Sequence, residues 1–355
     1  MIRRKEFFSW FLMFLVLLAI VSSSFIGIVS AEDVPKELQE ATDKVYEAFD
    51  TVLSAEKAGA DTSQLLIKLN KANVMLSNAY SSFRSGSDEA ATNNATLCSE
   101  LAKNVTMNAS KLKASALERF ISDFSRNTIL FVISTILIVL LSVFVWMKVS
   151  SRERKTENVE NMPLYRKLLL LAMIIAMFCA STPLLQMFVV IPRMRESFSE
   201  MWLLDENHAT ENYPFNVSTV HTYCVFLGLG NHLGETAYYV VYVKFRNQTQ
   251  LPANKTHPSP VKPLFEYRYA LRDEKTQEFP LRFQFFDITF NATKASVNRI
   301  VINNFDFSIG FNTTWDEEKS GFYGQIIFEL WRYIPQQERL CYHNRFLALW
   351  LNFTK

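Results

Sequence analysis

A chain of 355 residues is long enough for two modest domains, each with its own core. Charged residues make up 20 %, apolar residues 49 % and the net charge is +2, too little to present a nucleic-acid surface. The four cysteines, Cys98, Cys179, Cys224 and Cys341, form no CxxC or CxxCH, which speaks against zinc ribbons, thioredoxin-like redox sites and attached haem.

The chain opens with an uncharged run from Phe7 to Ala31 that follows Arg3, Arg4 and Lys5. Residues 1–31 read as a signal peptide ending at Val29-Ser30-Ala31, or as a signal anchor, because the run is also long enough to stay in a bilayer. On either reading the residues that follow emerge outside.

Residues 32–126 carry a helical pattern and predict an exterior three-helix bundle. Leu38, Ala41, Val45, Phe49, Val52 and Leu53 recur at spacings of three and four. Gly59 closes this first helix, and Asp61, Thr62 or Ser63 caps the next, which carries Leu65, Leu69, Leu76 and Phe83. A third helix begins near Asp88 and continues through Leu97, Val105 and Phe120, with an unbroken passage into the next apolar run at Asn127 left open. The short link at Ala58–Asp61 makes the first two antiparallel neighbours. The segment contains no His and no acid/base cluster, so it reads as a spacer or a partner-docking surface.

Two further apolar runs predict a transmembrane helix at 127–149 and a second at 167–192, each long enough for a hydrocarbon core of ~30 Å. Between them, the 150–166 loop and its flanks carry Lys148, Arg152, Arg154, Lys155, Arg166 and Lys167, which places the loop in the cytoplasm. The uncharged runs themselves, Asn127 to Met147 and Leu168 to Pro192, hold no charged side chain, which argues against ion conduction. Small residues such as Ala176, Cys179, Ala180 and Ser181 favour helix–helix packing. Nine Asn-x-Ser/Thr triplets then fall on the exterior side, at Asn94, Asn104, Asn108, Asn216, Asn247, Asn254, Asn291, Asn312 and Asn352. Chance would supply about two in a chain of this length. A glycosylated cell-envelope protein, multi-pass in the cell membrane, is the expectation.

From residue 193 to 355 the period changes to alternation. Strands are predicted at 198–204, 219–227, 236–246, 265–272, 281–291, 299–307, 323–333 and 340–353, separated by turn residues. The fold class expected is therefore a membrane-anchored α+β protein, with an exterior helical bundle, a transmembrane hairpin and a C-terminal antiparallel β-sandwich of immunoglobulin-like architecture. In an oxidising compartment Cys224 and Cys341 suit a disulfide, the alternative being two separately buried thiols. His208, His221, His232, His257 and His343 lack the spacing of a metal site, and no GxSxG, Walker loop or GxGxxG occurs. Asp316-Glu317-Glu318 reads as a solvated turn. No catalytic, cofactor-binding or metal residue is assigned, no cofactor is expected, and the chain reads as a non-enzyme. Most tryptophans alternate with aliphatic neighbours as core residues do. Trp315, in a polar loop, is the candidate for an exposed aromatic contact.

Within this segment, Phe198-Ser199-Glu200, Leu203-Leu204, Glu211-Asn212-Tyr213-Pro214, Gly230-Asn231-His232, Gly234-Glu235 and Tyr238-Tyr239-Val240-Val241 stand in one order. The set resembles the archaeal membrane-protein family of domain of unknown function 1616, from the third apolar run through about Phe245. Leu233 stands where that pattern has an acidic residue, and the helical segment before the membrane hairpin is an insertion relative to it. The resemblance implies an archaeal source, transmembrane helices before an exterior sandwich, and an envelope location. It brings no activity.

The leading functional expectation is binding, adhesion or scaffolding through glycosylated exterior domains. The alternative is an accessory subunit of a membrane transport or glycan-handling complex, and an exterior hydrolase ranks last. The partners expected are the lipid bilayer, another envelope or membrane protein and, with Trp315 in mind, a glycan; nucleic acid is not among them.

Overall fold

The computed structural model describes residues 34–153, 196–219 and 221–354. They belong to two compact units, Met1–Lys57 with Asp61–Ser110 and Ser197–Lys355, and Ala58–Ala60 with Lys111–Glu196. The expected signal segment 1–31, and most of the expected loop 150–166 and helix 167–192, lie outside the described residues.

Three α-helices open the described chain: α1 (Lys36–Lys57), α2 (Ser63–Arg84) and α3 (Asp88–Glu153). Helix α1 buries the stripe Leu38, Ala41, Val45, Phe49 and Val52, as its three-and-four spacing dictates. Glu37 in its first turn and Lys57 in its last suit the helix dipole. Gly59, at φ +85°, ends it in a conformation that costs other residues more. The Asp61 carboxylate then accepts the Ser63 backbone N–H at 3.0 Å and starts α2. Helix α2 buries two sides, Leu65, Leu69, Leu76 and also Asn73, Ser77 and Ser81, because it is enclosed on both. Helix α3 starts on Asp88 and Glu89, and its first part buries the small-residue stripe Ala91, Ala95, Cys98, Ala102, Val105 and Ala109.

Among the described residues no helix is long and apolar enough to cross a membrane. This corrects the expected transmembrane hairpin, the membrane-anchored fold class and the multi-pass placement in the cell membrane. The apolar run at 127–149 is not an element of its own. It continues a 66-residue helix whose preceding part carries Lys103, Lys111, Lys113, Glu118, Arg119 and Arg126.

Ten strands follow: β1 (Phe198–Leu204), β2 (Asn216–Val217), β3 (Thr222–His232), β4 (Ala237–Asn247), β5 (Pro263–Leu271), β6 (Lys275–Phe290), β7 (Lys294–Ile302), β8 (Phe305–Asp316), β9 (Gly321–Ile334) and β10 (Arg339–Phe353). They join into one sheet, which replaces the expected eight-stranded sandwich. One half runs β1-β3-β6-β7-β8 and the other β2-β10-β9-β4-β5. The halves connect where Trp315 and Asp316 pair with Phe322 and Gly321. Every named pairing is antiparallel except the short β2–β10 ladder. One core takes alternate residues from both halves, Leu227, Phe283 and Ile300 from the first and Tyr239, Phe328 and Leu351 from the second.

The strand expected at 299–307 is in fact a hairpin. Ile302 pairs with Phe305 across a two-residue turn in which Asn303 and Asn304 have φ of +47° and +71°. Positive φ at both positions is what a twist-compatible hairpin turn needs, and Asn is the non-glycine residue that adopts it most readily. Sequence alternation carried through that pair without a glycine to interrupt it.

Helices α1 and α2 do not stand apart as a separate module; they belong to the same unit as the sheet. They cover the outer face of β4, β5 and β9, the side of these strands turned away from the core. Tyr46 stacks on Tyr333 at 4.1 Å, the Tyr238 hydroxyl donates to Asn73 at 3.0 Å, and Lys57 pairs with Glu235 at 3.0 Å.

Candidate functional site

Strand β5 has β4 on one side only, so its other edge presents unpaired backbone groups. Asn70 of α2 covers part of that edge. Its Nδ2 donates to the Ala270 carbonyl at 2.9 Å, and its Oδ1 accepts the Ala270 N–H at 2.7 Å, as a neighbouring strand would. Further along, under the outer face, the fully buried Glu266 carboxylate meets Arg84 at 2.9 Å and also pairs with Arg268. Burial pushes this carboxyl up, but the Arg268 and Arg84 guanidiniums outweigh it and hold it below the usual carboxylate range. Arg268 in turn lies over the Tyr80 ring, 4.7 Å from its centroid.

Where α2 moves on from Asn70, a cleft of about 320 Å³ opens between α2, the β5 edge and the β7–β8 turn. Helix α2 contributes Val74, Ser77 and Asn78, and β5 contributes residues 265–268. Phe279, Pro280 and Arg282 of β6 and residues 303–305 of the turn complete it. Its wall is a chain of aromatic rings: Phe305 lies 5.9 Å from Phe265, Phe265 5.0 Å from Tyr267, and Tyr267 5.1 Å from Phe279. The turn is held in place by its own first residue. Asn303 accepts the Arg282 N–H at 2.9 Å and donates to the Tyr267 hydroxyl at 2.8 Å. Asn78 and Asn304 bring further amides, and Arg282 is exposed at the rim. Ser77 is 5 % exposed, and its hydroxyl oxygen is buried without a hydrogen-bond partner among the described residues. An unmade bond of this kind costs about 1–3 kcal/mol.

The motif residues of the β segment converge elsewhere, on a buried knot. Ser199 Oγ meets the Tyr239 hydroxyl at 2.6 Å and His343 Nε2 at 3.0 Å, while Tyr239 donates to Asn231 at 3.1 Å. Asn231 donates to the carbonyls of Glu235 and Leu271. A Ser–His contact invites comparison with a hydrolase, but Ser199 is wholly buried and no scissile carbonyl can approach it. Burial, with Arg332 and Arg345 nearby, lowers the His343 pKa to about 4. The knot ties β1, β3, β4 and β10 together. A second buried pair, Lys244 with Glu329 at 2.8 Å, is completed by the Ser259 backbone, whose N–H bonds Glu329 and whose carbonyl takes Lys244.

The remaining expected site residues are scattered. Asn94, Asn104 and Asn108 lie on α3; Asn104, Asn216, Asn254, Asn291 and Asn312 are exposed, and Asn94, Asn108, Asn247 and Asn352 are half-buried. Several come together at the end of the sheet where β8 meets β9. There Asn247 donates to the Asn312 carbonyl at 2.9 Å and Asn352 donates to Asn216 at 3.0 Å. Trp315, 43 % exposed, stands at the same end with its ring 5.0 Å from Phe322. Cys224 of β3 stands opposite Arg282 of β6 and Cys341 of β10 opposite Arg332 of β9, in different halves of the sheet, and both are free thiols. Among the described residues no group of three His, Cys, Asp or Glu could hold a metal ion.

The cleft escaped sequence reasoning because its parts are far apart in the chain. The pair Asn303-Asn304 was its one local signal, and alternation hid it.

No protein-family model matches the chain and no curated protein does, so the resemblance to the domain of unknown function 1616 family rests on the quoted motif alone. A β-glucosidase from Listeria innocua in complex with isofagomine is similar over 44 % of this chain and 16 % of its own, at 7 % identity and TM-score 0.23. The chain thus spans about a sixth of that enzyme. The complex of zinc 2-glycoprotein and prolactin inducible protein from human seminal plasma matches over 46 % of this chain and 99 % of the matched chain, at 10 % identity and TM-score 0.23. TM-scores this low establish neither a shared fold nor a shared function.

Proposed function

We propose that this chain is a non-catalytic binding and scaffolding protein whose ligand site is the cleft between α2 and β5. The observation that carries this reading is the cleft's lining. It offers aromatic rings, amides and two guanidiniums, Arg268 and Arg282, without a nucleophile–base pair, and its one carboxylate, Glu266, is already tied to two arginines. Such a lining suits non-covalent capture. The buried charges beneath it serve as mortar between the helices and the sheet. A second reading, a subunit that assembles with another protein, is favoured by the exposed apolar side chains of α3, Leu117, Phe120, Ile121 and Phe124 among them.

The test is a thermal-shift and turnover screen on the full chain. We expect compounds that raise the melting temperature, no hydrolysis of ester, peptide or glycoside substrates, and no response to chelators. Turnover abolished by a substitution in the cleft would overturn the proposal. For the second reading, crosslinking through cysteines placed near Phe120 should capture a defined partner.

A further inference from the structure

We infer that Asn254 is the residue through which the folded chain accepts an N-linked glycan, and that the fold withholds Asn247 and the three triplets of α3. This is independent of the cleft. The motif demands a hydroxyl two residues after the asparagine, so a transferase has to meet the carboxamide and that hydroxyl together. Regular structure keeps the two groups apart. On α3, residues two apart project roughly 200° from each other. The hydroxyls of Thr96, Thr106 and Ser110 turn back instead to the carbonyls of Thr92, Ala102 and Thr106. In a strand the two side chains share a face but start roughly 6.6 Å apart. At Asn352 the Thr354 hydroxyl accordingly donates to the Val217 carbonyl. In the β6–β7 turn, Asn291 Oδ1 takes the Ala292 N–H. Among the described residues only Asn247 and Asn254 receive the hydroxyl of their own triplet, from Thr249 at 2.9 Å and from Thr256 at 2.8 Å. Each does so inside a turn that its carboxamide closes. The nitrogen then separates the two. Asn247 is half-buried and its Nδ2 donates to the Asn312 carbonyl at 2.9 Å. Asn254 is exposed, and its Nδ2 has no partner among the described residues. Its Oδ1 also accepts the N–H groups of Thr256 at 2.8 Å and His257 at 2.7 Å, and the Tyr342 hydroxyl donates to its backbone carbonyl at 2.8 Å. That leaves the nitrogen as the free end of a fixed, exposed side chain. The reaction is a displacement at the anomeric carbon of a sugar carried on a lipid phosphate. The bond from Nδ2 to C1 forms as the bond from C1 to the phosphate oxygen breaks. The lipid phosphate leaves with that electron pair, and the nitrogen gives up one proton to solvent.

Three acceptors test this, each given an oligosaccharyltransferase and its lipid-linked oligosaccharide and read by glycopeptide mass spectrometry. One is the folded full chain made in a host without N-glycosylation. The others are synthetic peptides around Asn254 and around Asn247. The two peptides should be modified equally readily, since both carry Asn-x-Thr with nothing to bury it. In the folded chain Asn254 should exceed Asn247 and the α3 positions by about tenfold or more, because exposure then decides access. Protein recovered from native cells should carry the glycan at Asn254. Thr256→Val should abolish the modification there and Thr256→Ser should keep it, both at an exposed position where the fold is not at stake. A bare Asn254 in the folded or native chain would overturn the inference, as would an Asn247 occupied as fully as Asn254. A preference for Asn254 already present in the peptides would also overturn it, since sequence and not the fold would then select the site. So would a glycan that persists at Asn254 in Thr256→Val.

Discussion

At the scale of single residues, burial decides what each titratable group does. Glu266 is the hinge of its cluster, since one carboxylate serves two guanidiniums with no solvent to share the charge. Glu266→Gln deprives two buried cations of their anion and should cost about 3–5 kcal/mol, read as a lower denaturant midpoint. His343 gives a pH-dependent counterpart. Its folded pKa, lowered to about 4 by burial and by Arg332 and Arg345, lies below the ~6.5 of an unfolded histidine. Between those values the unfolded chain binds more protons, so the contribution is complete above pH ~6.5 and is lost as pH falls toward 4. Urea midpoints measured from pH 7 to 4 should show that decline, and His343→Asn should flatten it. Among the cysteines, burial pushes the Cys98 thiol up to about 12. Iodoacetamide applied to the native protein should therefore label Cys224 and Cys341 and spare Cys98, and recovery of a linked Cys224–Cys341 peptide would contradict the free thiols.

Secondary elements are shaped here as much by their edges as by their faces. Strand β5 would be an open edge without Asn70, whose amide imitates a strand partner at Ala270. Asn70→Ala should cost about 1–3 kcal/mol by leaving an N–H and a carbonyl unmet at a half-buried position. Asn70→Asp should recover only part, because it keeps the acceptor and loses the donor. Thermal unfolding of the three proteins orders them. The helices were legible early: the apolar stripe of α1, the Gly59–Asp61 link and the start of α3 at Asp88 are local signals written at a fixed period. Strand β8 was not, because Asn303-Asn304 turns the chain with residues that also occur inside polar strand positions.

For the molecule as a whole, the helices α1 and α2 give the outer face of the sheet much of its packing. Tyr238, Tyr333, Glu266 and Arg268 all depend on α1 or α2 for a neighbour. A fragment of residues 193–355 should consequently melt well below the full chain or aggregate, although sequence patterning alone suggested a self-sufficient domain. Equal melting temperatures by circular dichroism would show that the helical layer contributes little. The same layer forms one wall of the cleft, so any ligand held there binds helix and sheet together, and saturating ligand should raise the melting temperature of the full chain only.

Sequence alone determined what is periodic or local: helix stripes, most strands, the caps and turns marked by Gly and Asp, and the absence of metal-ligand or nucleophile spacing. It also carried the motif Ser199, Asn231 and Tyr239, although not the fact that these residues bond to one another. Tertiary structure decided the rest. The extent of α3 was left open by the sequence, because its polar and apolar segments share one helical period, and the structure joins them into a single helix. The union of helices with sheet is written in charged residues at alternate strand positions, Glu266 and Arg268, that alternation alone assigns to solvent. The cleft exists because Ser77, Phe265, Arg282 and Asn304 meet only after the chain has closed on itself, and no period or spacing encodes a meeting of that kind.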